Sequence, residues 1–258
     1  MEDVENTKSW MGVARQRQRL HRSGTLLSWA MTEQELAPAR YDGVADWYDE
    51  HVAWSTAAAA PLIARLAGRG SGWCLDVGCG TGIHLTALAE MGWSVVGVDA
   101  SADQLRVARR RARPVVAGLV QADAARLPFQ AGSCPLVVLA FTHTDVEDFT
   151  NLAREARRVL ARDGRFIYVG LHPCFTGPFA EQPRADRARV VHPGYVRPGW
   201  QTGGPGSVGD GLTSRVGFRH LPIARVLNDV LEAELRLCRV EEAGMSELPE
   251  WLALVAQR

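Results

Sequence analysis

The sequence has no excess charge of either sign: 29 lysines and arginines balance 29 aspartates and glutamates over 258 residues. Nucleic acid and anionic membrane surfaces reward a basic excess, so this balance argues against a large electrostatic footprint for either partner. No apolar run approaches the length of a membrane span. Residues 1–30 lack the continuous apolar stretch of a secretory signal, which points to the cytoplasm. Cysteines are few: Cys74, Cys79, Cys134, Cys174 and Cys238 form an odd set with no CxxC pair. Such a set speaks against a disulfide framework or a structural zinc and for small buried residues in a reducing compartment. No internal repeat or low-complexity tract is evident. With 47% hydrophobic and 22% charged residues, the composition is that of a globular α/β domain with additions.

The leader, residues 1–31, differs in character from the rest of the chain. It contains "ARQRQRLHRSG", basic and polar, and reads as a solvated, poorly ordered extension; Met31 is an alternative start. Arg15, Arg17 and Arg19 take no site role. From residue 32 to 258 helices and strands alternate as a parallel α/β sheet requires. Helices are expected at 55–67, 82–91, 101–112, 148–161 and 219–233, and strands at 73–77, 94–99, 115–121, 135–141, 165–171, "LRLCRVEE" and "WLALVAQR". Ser101 is the expected N-cap of its helix. Arg106, Arg109, Arg110, Arg111 and Arg113 on that helix read as a solvated outer face, because nothing aromatic interleaves with them. Residues 172–217, rich in Gly and Pro, form a segment too long for a connector and suit a lid or binding loop.

The chemistry centres on "CLDVGCGTGIHL", residues 74–85. Glycines after a strand and before a helix let backbone N–H groups approach a ligand. A phosphate loop needs Gly-x4-Gly-Lys-Ser/Thr, and that Lys and Ser/Thr are missing. The dinucleotide fingerprint needs a third glycine where Ile83 stands. Instead the turn is Gly78-x-Gly80-x-Gly82, with Asp76 two residues ahead. An acid there is a poor neighbour for pyrophosphate and a good one for a cation. Asp99 closes "VVGVD" at a strand's carboxyl end, and "QADAARLPF" stands further on at 121–129.

These three stretches, in this order on successive strand ends, resemble the class I methyltransferases that use S-adenosylmethionine. The resemblance covers about residues 41–258. It implies a Rossmann-like, seven-stranded, mostly parallel sheet with an antiparallel last strand and helices on both faces. It implies cofactor contacts from Tyr41, Asp76, Gly78, Cys79, Gly80, Gly82, Asp99, Ala100, Asp123, Ala124, Phe141 and Thr142, with S-adenosylhomocysteine as product and no metal. Asp123 would accept from the adenine amino group while the Ala124 amide faces a ring nitrogen. Residues 41–54, with Tyr41, Trp47 and Tyr48, resemble the leading helix that closes over the cofactor, and 172–217 would cover the substrate. The acid often found where strand four begins is replaced here by "GSCPL".

Methyl transfer requires alignment, exclusion of water and, for some nucleophiles, a base. His143 and His172 follow strands four and five, so they are the candidate catalytic residues, as base or as nucleophile-orienting group; His192 and His220 are weaker candidates. The expected activity is methyl transfer to an O, N or C nucleophile of a small molecule, with neither nucleic acid nor membrane as partner. A noncatalytic cofactor-binding protein and an NAD-dependent oxidoreductase are the alternatives.

Overall fold

The computed structural model describes residues 39–112, 115–181, 188–207 and 211–258. The leader with its arginines, Met31 and Arg113 lie outside them. Seven strands form one sheet: β1 (Trp73–Val77), β2 (Ser94–Asp99), β3 (Gly118–Gln121), β4 (Cys134–Ala140), β5 (Leu160–Leu171), β8 (Arg236–Ala243) and β9 (Trp251–Gln257). Their order is β3-β2-β1-β4-β5-β9-β8. Strands β1 to β5 pair in parallel, and β9 runs antiparallel between β5 and β8. The chain leaves β1 toward β2 and β3, then returns to β4 on the other side of β1. That reversal opens a crevice at the carboxyl ends of β1 and β4, where ligands bind in open α/β sheets.

Both faces of the sheet are covered, which is why its central strands are apolar throughout. Leu75, Val77, Val96 and Val98 pack on one face with Leu152, Ala156 and Val159 of α6 (Phe149–Val159) and with Val226 and Val230 of α8 (Ile223–Glu232). Cys74, Val95, Leu136 and Val138 pack on the other face. There they meet Ile63 and Leu66 of α3 (Ala60–Ala67), Leu85 and Leu88 of α4 (Leu85–Glu90) and Leu105 of α5 (Ala102–Ala112). Each fully buried large side chain of this set contributes about 1.5–3 kcal/mol. Polar side chains close the helix ends. Ser101 Oγ accepts from Gln104 N (3.2 Å), as the sequence predicts for α5, and Asp148 caps α6 through Asn151 N (2.9 Å). Arg165 on β5 donates to the last-turn carbonyls Leu66 O (3.0 Å) and Ala67 O (2.5 Å) of α3.

Two short helices, α1 (Ala45–His51) and α2 (Ala53–Ala57), precede α3. The 172–217 segment has structure of its own. Strand β6 (Gly199–Gln201) pairs antiparallel with β7 (Phe218–His220), α7 (Leu212–Val216) lies between them in sequence, and β7 packs on the 3-10 turn Thr142–Asp145. Residues 218–220 are therefore strand, where the sequence pattern suggests the start of a helix. Pro222 disfavours helical backbone at Leu221, so α8 begins only at Ile223. Strand β3 likewise begins at Gly118 and not at 115. All five cysteines are free.

Asp229 of α8 is buried, and its Oδ1 accepts from Thr150 Oγ1 (2.7 Å) on α6 and from Arg225 Nε (2.5 Å). Asp229→Ala leaves a buried hydroxyl without its acceptor, so urea denaturation is expected to show a loss of about 1–3 kcal/mol.

Candidate functional site

The glycine turn hangs from the end of β1. Gly78, Gly80 and Gly82 all have positive φ (73°, 53° and 79°). The N–H groups of Gly78 and Cys79 both donate to Val98 O (2.8 and 2.9 Å), tying the turn to β2. Asp99, half-buried at the end of β2, accepts Gly80 N on Oδ2 (2.8 Å) and Ser101 N on Oδ1 (2.9 Å). A Cβ at Gly78 would lie 2.4 Å from the Thr142 side chain, whose Oγ1 donates to Val77 O (2.9 Å). Glycine at 78 thus allows the ends of β1 and β4 to close together.

Beneath and beside this turn are polar groups without partners. Among the described residues seven buried side-chain atoms lack a hydrogen bond, and five belong to Asp76, His84 and Gln104. Asp76, on β1, is 1% exposed with both carboxylate oxygens unpaired. Burial, with a smaller contribution from the charge of Asp99, pushes its pKa up to about 7. His84 Nδ1 is unpaired where the ring stacks on Phe141 (6.1 Å between centroids), and burial pushes this histidine down to about 4. The Gln104 amide is unpaired on both atoms, and its Oε1 lies 3.6 Å from where a Gly80 Cβ would stand. Buried polar groups are ordinarily satisfied, and one left unpaired costs on the order of 1–3 kcal/mol. Their clustering around one turn marks a cradle whose partners come from a ligand, with an acceptor at Asp76 suited to a cation.

The remaining residues expected at the cofactor have the following surroundings. Cys79 is buried. Ala100 adjoins Asp99, and its carbonyl accepts Gln121 Nε2 (3.0 Å). Asp123 is exposed and caps a turn through Ala125 N (2.9 Å); Ala124 is half-buried against the core. Phe141 ends β4 in left-handed backbone (φ 60°, ψ 15°), uncommon for a side chain of this size, and its N–H donates to Val169 O (2.7 Å). Tyr41 Oη donates to Asp145 Oδ1 (2.9 Å). Burial raises Asp145 to about 7, against the opposing hydrogen bonds from Tyr41 and Thr144. Sequence reasoning missed Asp145, His84 and Gln104. The signal available for the last two was a polar residue placed at an otherwise apolar position of a helix beside the turn.

The histidines separate by their partners. His143, 2% exposed, has Nδ1 2.9 Å from Tyr168 Oη and its ring edge-on to Phe149. His172 is equally buried, but both of its nitrogens are committed. Cys174 N donates to Nδ1 (3.2 Å), so Nε2 carries the proton and donates to Glu242 Oε1 (2.8 Å). That pairing leaves His172 no nitrogen for a substrate proton. His192 pairs with Glu181, and His220 Nε2 donates to Tyr195 O (2.6 Å).

Helix α1 and parts of the 172–217 segment make polar contacts with α5 and with residues that follow β4. The arginine face of α5 is solvent-exposed, as the sequence suggests, and its arginines also pair with acids of α1. Arg106 and Arg110 pair with Asp46, and Arg111 pairs with Asp49 (2.6 Å) while its Nη1 reaches Thr81 Oγ1 (3.4 Å). The sequence showed basic residues on one helix and acidic ones on another, without the contact between them. Arg40 stacks on Trp200 (3.8 Å) and pairs with Glu147 Oε1 (2.6 Å), while Trp200 Nε1 donates to Glu147 Oε2 (2.6 Å). Arg215 of α7 covers the Trp47 ring (4.2 Å). Residues distant in sequence thus meet through Arg40, Glu147 and Trp200 and through Arg215 and Trp47.

A family profile described as "Methyltransferase domain" matches residues 75–168. The matched span holds the glycine turn, Asp99, Asp123, His143 and Tyr168. The chain is similar to demethylmenaquinone methyltransferase of Thermus thermophilus, 36% identical over 121 residues covering 45% of this chain and 55% of that one. It is also similar to the enzyme of the same name from Renibacterium salmoninarum, 35% identical over 106 residues covering 41% and 44%. The chain spans about half the length of these curated relatives. Among solved structures, an S-adenosylmethionine dependent methyltransferase from Mesorhizobium loti superposes with a TM-score of 0.64 at 24% identity, covering 84% of this chain and 99% of that one. The CcbJ methyltransferase from Streptomyces caelestis gives 0.60 at 20% identity, covering 85% and 97%. These structures share the fold of this chain.

Asp76 has a folded pKa raised from 3.8 to about 7, so the ligand-free fold holds a proton there that the unfolded chain has lost. The stability this proton contributes is complete below pH 4 and falls away up to about pH 7. Asp76→Asn is therefore expected to raise the melting temperature of the ligand-free protein at pH 8, with the gain shrinking at pH 5, as thermal denaturation at the two pH values would show.

Proposed function

We propose that this chain transfers a methyl group from S-adenosylmethionine to an oxygen, nitrogen or carbon nucleophile of a small molecule. The observation that carries the reading is the unpaired, buried carboxylate of Asp76 beneath the glycine turn. The amino acid end of S-adenosylmethionine presents an ammonium, the donor this carboxylate lacks. A pyrophosphate would set negative charge against it, which disfavours a dinucleotide. Asp99 retains acceptor capacity beyond the Gly80 and Ser101 N–H groups and would hold the ribose hydroxyls. Asp123 and Ala124 would face the adenine, and Phe141 and Thr142 would border the methionine part. The unpaired His84 and Gln104 groups add donors and acceptors on the same rim.

When bound, the cofactor supplies a methyl group on a sulfonium, whose carbon–sulfur bond breaks toward sulfur as the nucleophile's electron pair takes the methyl. The chain's own task is to place the nucleophile and keep water out. Exclusion of water falls to α1 and the β6–β7 segment, latched by Arg40, Glu147 and Trp200 and by the Tyr41–Asp145 bond. Placement of the nucleophile falls to His143, since His172 is held by Cys174 and Glu242. A small acceptor accords with the neutral net charge and with relatives named for demethylmenaquinone.

Methyl-labelled S-adenosylmethionine incubated with the protein and fractionated extract of its source is expected to label a small molecule; label found only in protein or RNA contradicts the substrate class. His143→Ala is expected to slow that transfer about a hundredfold while leaving S-adenosylhomocysteine binding intact. Calorimetric titration of S-adenosylhomocysteine should show affinity rising from pH 5 to 7 as Asp76 ionises. Asp76→Asn should flatten that dependence and weaken binding roughly tenfold to a hundredfold.

A further inference from the structure

The hydrogen bond between Tyr168 and His143 determines what His143 can offer a substrate, given the methyl-transfer reading. Tyr168 on β5 is 0% exposed, and its Oη lies 2.9 Å from His143 Nδ1. Burial drives the phenol well above its ordinary pKa, so it keeps its proton. A buried hydroxyl needs an acceptor, and among the described residues His143 Nδ1 is the group that meets Oη at hydrogen-bond distance. The hydroxyl therefore donates and Nδ1 accepts. In a neutral imidazole that accepts at Nδ1, the proton resides on Nε2.

The rest of the surroundings keep this arrangement. A Cβ at Gly170, two residues along the same face of β5, would lie 2.2 Å from Tyr168 Oη and 2.7 Å from His143 Nδ1, so glycine there leaves room for the pair. Phe149 of α6 packs its ring against both residues. The titratable groups nearby are Tyr168 on β5, His220 on β7 and, on the same 3-10 turn as His143, Asp145. Burial and the charge of His220 push His143 down to about 3, so the ring stays neutral throughout the physiological range. His220 spends its own Nε2–H on Tyr195 O.

We propose that His143 serves as a neutral hydrogen-bond donor through Nε2–H, locked in that tautomer by Tyr168, and that the acceptor substrate presents an oxyanion of the phenolate or enolate class to it. His143 in this role gains no proton during turnover. An oxyanion that takes up a methyl group becomes a neutral ether with no proton to lose. A carbon conjugated to the oxyanion forms its new carbon–carbon bond and then releases its own C–H proton to solvent, regenerating the oxyanion. Tyr168 is a positioning residue, acting through the imidazole.

The test is the tautomer itself, read by two-bond nitrogen–proton correlation spectra of 15N-histidine-labelled full-length protein without ligand. The expected spectrum has His143 protonated at Nε2 and bare at Nδ1, unchanged from pH 5 to 8. Tyr168→Phe, which keeps the ring volume, is expected to release the lock and bring in the Nδ1–H form. His143→Gln can accept from Tyr168 and donate outward but cannot act as a base. With labelled S-adenosylmethionine and source extract, it is expected to retain label transfer within about tenfold of wild type, against the larger loss in His143→Ala. A wild-type ring protonated at Nδ1, a ring that becomes cationic between pH 5 and 8, or a folded Gln variant as inactive as Ala overturns the donor role. Absence of labelled small molecules with wild-type protein would instead overturn the methyl-transfer reading and leave the spectra unchanged.

Discussion

A carboxylate buried without a partner is the constraint around which this domain is arranged. Asp76 lies in β1, the strand flanked by β2 and β4, with both sheet neighbours hydrogen-bonded to it. Nothing among the described residues neutralises the charge, and Asp99 nearby adds to the penalty. Such a site persists only because the surrounding sheet is well packed: Leu75 and Val77, on either side of Asp76, are each 1% exposed. The left-handed backbone of Phe141 is a further local cost at the same place. Strain and unsatisfied polarity concentrate where a ligand is to be gripped, and the apolar sheet offsets them.

The cover proposed for the crevice is held by different forces from those that hold the sheet. Contacts of α1 with α5 are ion pairs between exposed side chains, weak individually and screened by salt. Next to the crevice the bonds are better protected: Tyr41 to Asp145, and Ser101 Oγ to Asp42 Oδ1 at 2.6 Å. A cover attached mainly by polar contacts can open to admit ligands without disturbing the core, which suits a site that must exchange both a cofactor and a substrate.

Local features of the fold were legible in the sequence. Strands β2 and β4 are short, mainly apolar runs, and Ser101 caps its helix as read. The glycine spacing with Asp76 ahead of it was legible as a tight turn beside an acid, because both features are local in sequence. Features that depend on distant residues were not legible. His143 and His172 look alike in sequence, each at a strand end. Only the fold brings Tyr168 to one and pairs the other with Glu242 on β8. The pairing of the α5 arginines was not visible because their partners, Asp46 and Asp49, lie some sixty residues away in sequence. Strand β7 was hidden by its length of three residues and by the Leu221–Pro222 step just after it.

The most direct measurement is a crystal structure of the protein with S-adenosylhomocysteine. The expected electron density places the amino group of the ligand within hydrogen-bond reach of the Asp76 carboxylate, with the ribose hydroxyls on Asp99. A ligand bound with Asp76 still unpartnered, or with its amino acid end away from the glycine turn, would contradict the assignment.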